Sequence, residues 1–521
     1  MIITELNMLN GADSLLSSMT SMTSAAENCD AARHDKLVHE HLASQACASA
    51  HAAFDSYCET TPVRRADLLD RIADNVEMLG DRLAELLAAD TGIARTAATA
   101  KVTATVEQLR FIGDLVRSGS WLGSHVNRLV RGSKIAVASD IRQRSIGIGP
   151  VAIFSTQGVA SLYSMIGDNT ACALAAGCPV VLVASPAHPE ISLLVAMAAM
   201  RAIADGGLHV GVLSLLPDEK QTLAARVAGD HRIAAVACMG SPADARMLKQ
   251  ISASREEQIP VYCTGRRFKP MIVLPMALST RAEMIGTAFA ASLKAGRRGA
   301  LLRSGLVLTL GSQALDVLMD AVANATGAAT PPHVDAATWM TATKLLGLPI
   351  QEDLPDVGRY TLYSLSQEAG SPSASAPIIV ISCPDLSALR EMIRRLGSQA
   401  SMSLQADEED LATARSLLPQ LEKQTERICL NRFERDNNHA DALHGSSFTP
   451  QLDSRGISSG NLAIARFLRP VAYLDFPETL LPDALKSANC GSADANADAA
   501  DFTSDFSAYV LGHARSKSAH H

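Results

Sequence analysis

Residues 177–186 read GCPVVLVASP, a short apolar run bounded by glycine and proline. Similar runs precede and follow it: GPVAIF at 149–154, VGVLSLLP at 210–217 and IAAVACMG at 233–240. The runs are short and partly β-branched, and segments with a helical pattern separate them. Buried parallel strands joined by helical crossovers have this pattern. The sequence therefore predicts an α/β fold.

A second set of runs repeats the arrangement further along the chain. Its members are PMIVLP at 270–275, GLVLTLG at 305–311, PIIVIS at 377–382 and RICLNRF at 427–433. Two successive α/β units are therefore predicted. Within this set, the small-residue stretch SQEAGSPSASAP at 366–377 predicts a break in regular structure.

The two ends of the chain have a different composition. Residues 1–30 are rich in Ser, Thr and Met, and we expect a disordered extension. A helix is predicted from Pro62 to Gly92, because leucine and isoleucine recur there every three or four residues. A second helix is predicted near Ala97–Ser118. The Ala-, Asp- and Ser-rich residues 487–521 predict a loose tail.

Composition excludes several classes of protein. The 521 residues are 47% hydrophobic and 19% charged, which is enough to bury a large core in two or three domains. A net charge of -8 gives no positive surface for nucleic acid, and 4% aromatic residues are too few for base stacking. We therefore expect no nucleic-acid partner.

The cysteines and the hydropathy pattern predict a cytoplasmic protein. The ten cysteines include no C-x-x-C pair, which favours reduced thiols over a disulfide framework or a metal site. No apolar run approaches the roughly 20 residues that cross a bilayer. The N-terminus carries Glu5 and Asp13 and lacks the basic start of a secretory signal, so we expect no membrane association.

Five segments together resemble the aldehyde dehydrogenase superfamily, and most closely its α-ketoglutarate semialdehyde (2,5-dioxovalerate) dehydrogenase branch. The resemblance covers residues from about 40 to 490. The segments are GPVAIF, DNTACALAAGCPVVLVASPAHPE at 168–190, IPVYCTGRRFKPMIVLP at 259–275, SLKAGRRGALLRSGLV at 292–307 and DSRGISSGNLAIARFLRPVAYLDFP at 453–477. Their order and spacing match the family.

The resemblance implies an aldehyde dehydrogenase-like fold with two Rossmann-like α/β domains and an oligomerisation extension. We expect a cofactor-type domain at 31–258, with an oligomerisation hairpin at about 125–147, and a catalytic-type domain at 259–430. A return segment and oligomerisation strand follow at 431–486, including RPVAYLDF at 469–476. Because protruding strands leave unpaired edges, we expect a homo-oligomer, either a dimer or a tetramer.

The resemblance also locates the catalytic positions, and this chain carries other residues there. In the family loop S-x-x-x-G-x-G-Q-F-C-T-x-P-G-L-V, Leu301 takes the place of the cysteine nucleophile. Thr264 replaces the general-base glutamate of I-P-V-Y-A-E, and Gly158 replaces the oxyanion-binding asparagine of F-G-A-S-N-F-P. Leucine supplies no thiolate, threonine is no base near neutral pH, and glycine has no side-chain donor. No family catalytic residue is therefore retained.

Residues at the positions that contact the cofactor in the family also differ in this chain. Val183 replaces a lysine that contacts the cofactor ribose, and residues 371–377 hold no acid where the family has E-x-F-G-P. Gly240 and Ser241 match the turn that begins a helix near the cofactor pyrophosphate. The resemblance thus implies NAD or NADP as cofactor only if this remaining site still binds it.

Several other residues are candidates for chemistry. Cys263 adjoins the vacated base position and is either a substitute nucleophile or a small core residue. Lys269 and Lys294 can each form a Schiff base with a carbonyl compound if the amino group is desolvated. Otherwise they are lysines that face solvent. Five arginines suit the binding of an anionic ligand. The alternative is that they face solvent or pair with acidic residues across an oligomer interface. They are Arg266, Arg267, Arg297, Arg298 and Arg303.

Three hypotheses of function follow. The first is a pseudo-dehydrogenase that acts as a binding or partner subunit. The second is non-redox chemistry on an anionic small molecule in the old pocket. The third is a divergent NAD(P)-dependent aldehyde or semialdehyde dehydrogenase that uses Cys263.

Overall fold

The structure is a computed structural model, and it describes twelve segments of the chain. They are residues 29–118, 125–127, 141–155, 162–217, 223–240, 242–265, 269–295, 305–326, 360–365, 376–396, 399–433 and 461–486. The segments predicted to be disordered, 1–30 and 487–521, lie almost wholly outside them. Within these segments, no helix combines the length and the apolar character needed to span a membrane.

Four helices precede the first sheet: α1 (Cys29–Cys58), α2 (Pro62–Met78), α3 (Gly80–Thr91) and α4 (Arg95–Ser118). The side chain of Thr61 accepts a hydrogen bond from the Arg64 backbone N–H (3.2 Å), and Pro62 is the first helical residue of α2. Gly92 ends α3 in the left-handed conformation at φ 68°. The predicted start of helix at Pro62 and its predicted end at Gly92 are confirmed.

Two features of this helical region differ from the sequence-based expectation. The single helix predicted from Pro62 to Gly92 is wrong, because the chain leaves helical geometry at Leu79 (φ -88°, ψ 3°) and restarts at Gly80. Helix α1 was not predicted. Its buried positions carry small residues such as Ala43, Ala46 and Cys47, so its pattern lacks the leucine repeat.

The first set of apolar runs forms a five-stranded parallel sheet in the order β5-β4-β3-β6-β7. The strands are β3 (Val151–Phe154), β4 (Val180–Ala184), β5 (Leu213–Pro217), β6 (Ala235–Gly240) and β7 (Val261–Gly265). The helices between them are α5 (Asn169–Ala175), α6 (Pro189–Asp205), α7 (Leu223–Gly229) and α8 (Pro242–Ala253). All five residues of β4 are buried, as expected for a central strand covered on both faces.

The second set forms a six-stranded sheet in the order β10-β11-β9-β8-β12-β13, in which only β10 runs antiparallel. Its strands are β8 (Lys269–Val273), β9 (Gly305–Leu310), β10 (Tyr360–Leu365), β11 (Ala376–Cys383), β12 (Gln399–Gln405) and β13 (Thr425–Leu430). The accompanying helices are α9 (Pro275–Ala295), α10 (Leu315–Thr326), α11 (Leu386–Leu396) and α12 (Leu411–Gln424).

The resemblance places a domain boundary at residue 258, shortly before β7, and this boundary stays a prediction. Strand β7 pairs with β6 of the first sheet, with Val236 opposite Val261 and Gly240 opposite Gly265.

The chain divides into two units. One comprises Met1–Trp121 and Gly147–Phe467 and contains both parallel sheets; the other comprises Leu122–Ile146 and Leu468–His521. A three-stranded sheet joins β1 (His125–Asn127), β2 (Ile141–Gly147) and β14 (Leu468–Leu474) in that order. The hairpin and the strand that the resemblance assigns to oligomerisation are thus parts of one sheet.

Candidate functional site

The candidate site is the carboxyl edge of the five-stranded sheet. The order of strands reverses between β3 and β6, and open parallel sheets bind ligands outside the carboxyl ends of their strands at such a reversal. The strands end there at Phe154, Ala184, Pro217, Gly240 and Gly265. The side chains beside these ends decide which ligand the edge can hold.

Beside β3 and β4 the edge is neutral. The Ser155 backbone N–H donates to the Val183 carbonyl (3.0 Å), and the Ser185 backbone N–H donates to Ser155 Oγ (2.7 Å). These hydrogen bonds fasten the two strand ends to each other. They involve no ionised group.

Val183 occupies the position at which the resemblance expects a cofactor-contacting lysine. Its side chain is 3% exposed and belongs to an apolar cluster that also contains Cys238 and Cys263. A valine in this cluster offers no hydrogen-bond donor to a ribose hydroxyl. The residue at this position therefore does not fit the nicotinamide cofactor contact that the family makes.

Strands β6 and β7 are joined by a disulfide between Cys238 and Cys263. The two residues are direct neighbours in the strand register, with their Cα atoms 4.8 Å apart. Cys238 is 2% exposed and Cys263 is 4% exposed. The prediction that all ten cysteines are reduced is wrong for this pair. Six other cysteines in the described segments are free.

The sequence contained a signal for this pairing that its spacing hid. Both strands end in Cys-x-Gly, so each places a cysteine two residues before its carboxyl end. Strands that lie side by side then bring these cysteines together, although they are 25 positions apart in the sequence. While it is part of the disulfide, Cys263 cannot act as the candidate nucleophile, because a disulfide sulfur is not a thiolate.

The position of the family's base lies at the same edge. Thr264 is opposite Met239 in the register, one residue before Gly265 and Gly240. The described backbone thus brings Thr264 and Gly240 to neighbouring strand ends, which is where the resemblance places the base and the cofactor turn. The structure describes these two residues by their backbone alone.

On the opposite face of β7, Tyr262 anchors a buried arginine. The Tyr262 hydroxyl donates to the Arg466 carbonyl (2.6 Å), and the Tyr262 and Phe467 rings meet edge to face with centroids 5.5 Å apart. The Arg466 guanidinium lies over both rings, 5.8 Å and 5.1 Å from their centroids. These contacts fix β7 on its second face.

Arg466 is 1% exposed, which is rare for an arginine. Its Nη2 lies 3.8 Å from Oδ1 of Asp168. Burial raises the pKa of Asp168, and the Arg466 charge opposes that rise. The sequence analysis missed this cluster. An arginine inside the apolar run LAIARFL was its only visible signal.

Replacing Tyr262 by phenylalanine should test the anchoring of β7. The change leaves the buried Arg466 carbonyl without its donor, so we expect the free energy of unfolding to fall by about 1–2 kcal/mol. Tyr473→Phe is a matched control, because the Tyr473 side chain is half-buried and solvent can replace what its hydroxyl loses. Urea denaturation of both variants measures the difference. Equal stabilities would contradict the anchoring role.

Four of the free cysteines are poor nucleophiles near neutral pH. Burial raises the pKa of Cys47, Cys172 and Cys383 to about 12. The pKa of Cys178 is raised to about 11, again mainly by burial. A thiol with a pKa near 11 is ionised in only about one molecule in 10⁴ at pH 7. None of these four cysteines supplies the thiolate that aldehyde oxidation requires.

Several predicted site residues lie outside the described segments. They are Gly158, Ser241, Arg266, Arg267, Arg297, Arg298, Leu301 and Arg303. Lys269 begins β8 and Lys294 lies near the end of α9, both described by their backbone only. Across the segments that are described, no group of three or more His, Cys, Asp or Glu side chains is placed to hold a metal ion.

Comparison with known proteins agrees with this architecture. The sequence profile of the aldehyde dehydrogenase family matches residues 27–330. Alpha-ketoglutaric semialdehyde dehydrogenase 2 of Azospirillum brasilense is 32% identical over 468 residues, which cover 85% of this chain and 89% of that protein. The alpha-ketoglutaric semialdehyde dehydrogenase of Acinetobacter baylyi is 31% identical over 467 residues, covering 85% and 88%.

Solved structures share the fold. Lactaldehyde dehydrogenase from Escherichia coli superposes with a TM-score of 0.64 at 15% identity, over 84% of this chain and 91% of its own. A 3,6-anhydro-L-galactose dehydrogenase gives a TM-score of 0.63 at 16% identity, over 83% and 91%. The predicted α/β, aldehyde dehydrogenase-like fold is confirmed. This chain belongs to the aldehyde dehydrogenase family.

Proposed function

We propose that this chain is a pseudo-dehydrogenase, an aldehyde dehydrogenase-fold protein that binds a ligand or a partner without cysteine-dependent aldehyde oxidation. The observation that carries the proposal is Val183. At the carboxyl end of β4, where the family contacts its cofactor through a lysine, this chain has a side chain 3% exposed inside an apolar cluster. Such an edge lacks a charged contact for a dinucleotide from β4.

The catalytic positions support the same proposal from the sequence. Aldehyde oxidation in this family needs a thiolate to form the thiohemiacetal, a base, and a donor that stabilises the oxyanion. The resemblance assigns these three positions to Leu301, Thr264 and Gly158. The four buried cysteines whose pKa values are raised to about 11 or 12 offer no substitute thiolate.

The ligand that we propose for this chain is a small anion. Arg266 and Arg267 follow β7, and Arg297, Arg298 and Arg303 precede β9. Five arginines in the two sequence segments to which the resemblance assigns the base and the nucleophile suit a carboxylate or a phosphate. Non-redox chemistry on such an anion belongs to this proposal.

The second candidate is a divergent NAD(P)-dependent semialdehyde dehydrogenase. It is supported by the 32% identity to a protein that is named as an alpha-ketoglutaric semialdehyde dehydrogenase. It requires a nucleophile other than residue 301 and a ribose contact other than residue 183. Reduced Cys263 is the residue it would use.

Assembly and location are part of the proposal. Members of the family are commonly oligomeric, and β14 lies at one edge of the three-stranded sheet, where its unpaired backbone suits a second copy of the chain. We therefore propose a dimer or a tetramer. The six free cysteines of the described segments favour a cytoplasmic location, and the acidic composition argues against a nucleic-acid partner.

Turnover by the purified chain tests this function. We expect no reduction of NAD or NADP when the chain is mixed with α-ketoglutaric semialdehyde, the substrate named for the relatives. The Azospirillum brasilense relative in the same assay is the positive control. Turnover within about a hundredfold of that relative would establish the second candidate instead, because loss of one oxyanion donor alone costs about that much.

A further inference from the structure

We propose that Cys238 and Cys263 form a reversible oxidation site that locks the carboxyl edge of β6 and β7. The two cysteines face each other on adjacent strands, with Cα atoms 4.8 Å apart. This separation lies within the range in which a disulfide forms without movement of the backbone. The proposal concerns the chain's own sulfur chemistry and does not depend on whether the pocket binds a cofactor.

Both oxidation states are compatible with the fold. Strands β6 and β7 pair over five consecutive residues, from Val236–Val261 to Gly240–Gly265, so the sheet does not need the covalent bond. In the reduced state the two cysteines would be small apolar members of the cluster that contains Val236 and Val261. A bond that the fold permits but does not require can be made and broken in the folded protein.

Cys238 and Cys263 are both buried, so an oxidant that reaches their sulfurs must be small. Side chains two residues apart on a strand lie on the same face, so the next position beyond each cysteine on that face is Gly240 or Gly265. Neither glycine places a side chain over the sulfurs. A peroxide, which is little larger than water, therefore suits this site better than a bulky disulfide reagent.

The chemistry balances with a peroxide as the oxidant. One thiol gives up its proton and its sulfur attacks the peroxide; the O–O bond breaks, the sulfur becomes a sulfenic acid, and the departing hydroxide takes the proton and leaves as water. The second thiol then attacks that sulfur, the S–S bond forms and a second water leaves. A dithiol reductant returns two electrons and two protons and restores both thiols.

The bond would change the edge at which the candidate site lies. It closes a loop of 25 residues that contains Gly240, the whole of α8 and the start of β7. Cross-linking lowers the entropy of the open states of such a loop. The oxidised form therefore holds the positions of the family's cofactor turn and base more firmly together, which couples oxidation to the shape of the pocket.

Thiol mapping of the full-length purified chain tests the bond. After reduction, removal of the reductant and exposure to hydrogen peroxide, alkylation under denaturing conditions should label all of the ten cysteines except Cys238 and Cys263. Mass spectrometry should find their two peptides linked. Dithiothreitol should then make every cysteine reactive. Ten alkylated cysteines after peroxide, or a different linked pair, would overturn the proposal.

Two variants and one further measurement test the lock. Cys263→Ala should abolish the linked peptide, whereas Cys383→Ala, a buried free cysteine of β11, should keep it. Amide hydrogen exchange over residues 240–260 should slow on oxidation of the native chain by roughly threefold or more, and should not respond to peroxide in Cys263→Ala. Equal exchange in the oxidised and reduced native chain would refute the lock even if the bond forms.

Discussion

Leu301→Cys is expected to leave aldehyde oxidation undetectable, although it restores the family's nucleophile. Under the proposed assignment, the thiol would still lack the base, which Thr264 replaces, and the oxyanion donor, which Gly158 replaces. A general base contributes about 10²–10⁴-fold to a rate, and one oxyanion donor about 10²–10³-fold. We therefore expect turnover at least about 10⁴-fold below that of the Azospirillum brasilense relative.

Residues that act as a unit explain why one restoration is not enough. Once one member of a catalytic set is missing, the others contribute little, so their effects are far from additive. The same principle accounts for the three substitutions that the proposed function assigns to this chain. It predicts that the native chain and Leu301→Cys have the same rate within error.

NADH formation with α-ketoglutaric semialdehyde under single-turnover conditions measures this effect. Leu302→Cys is the matched control, since it places the same thiol one position away from the family's cysteine. If Leu301→Cys rises a hundredfold above the native chain and Leu302→Cys does not, the pocket retains a working base and oxyanion donor. That outcome would contradict the proposed function.

Gly286→Ala is expected to cost about 3 kcal/mol or more of the free energy of unfolding, the upper end of overpacking effects. Gly286 lies in α9 where this helix packs against α10. A Cβ atom at Gly286 would lie 2.4 Å from the Leu318 carbonyl oxygen and 2.9 Å from the Ala321 Cβ. The nearest atom belongs to the backbone, so the two helices must separate.

The matched control is Gly80→Ala, the same substitution at the start of α3. A Cβ there would meet only Val102 Cγ1, at 3.8 Å, which is an ordinary contact. Because alanine favours helix over glycine by about 0.5–1 kcal/mol, we expect Gly80→Ala to be neutral or stabilising. Chemical denaturation of the two variants measures the contrast. A Gly286→Ala protein as stable as the native chain would refute close packing of α9 on α10.

The elements that the sequence predicted are those whose side chains are apolar and regularly spaced. Strand β4, with all five residues buried, reads as a continuous apolar run and was predicted within one residue. Strand β12 is QASMSLQ, in which polar residues are themselves buried: Gln399, Ser401, Ser403 and Gln405 are all at most 7% exposed. The apolar residues Met402 and Leu404 alternate with these polar ones, which is the pattern of a strand with one solvent-facing side. In the structure the polar side is buried as well, and hydrogen bonds hold part of it, as between Gln405 Nε2 and Ser403 Oγ (2.8 Å).

The candidate site was predicted only as far as a linear pattern can reach. The position of Val183 at a strand end followed from the resemblance, and the structure adds that its side chain lies in an apolar cluster. The Cys238–Cys263 bond and the Arg466 cluster were not predicted. Each joins residues that are distant in sequence, 25 positions apart in one case and 204 between Tyr262 and Arg466 in the other.

Titration of the purified chain with NAD and NADP, followed by calorimetry, tests the central claim most directly. The claim is that this aldehyde dehydrogenase fold no longer serves as a nicotinamide-dependent oxidoreductase. The account predicts no saturable heat at cofactor concentrations up to about 1 mM, while the Azospirillum brasilense relative binds under the same conditions. Saturable binding of either cofactor at micromolar concentration would contradict this claim and would support an active dehydrogenase.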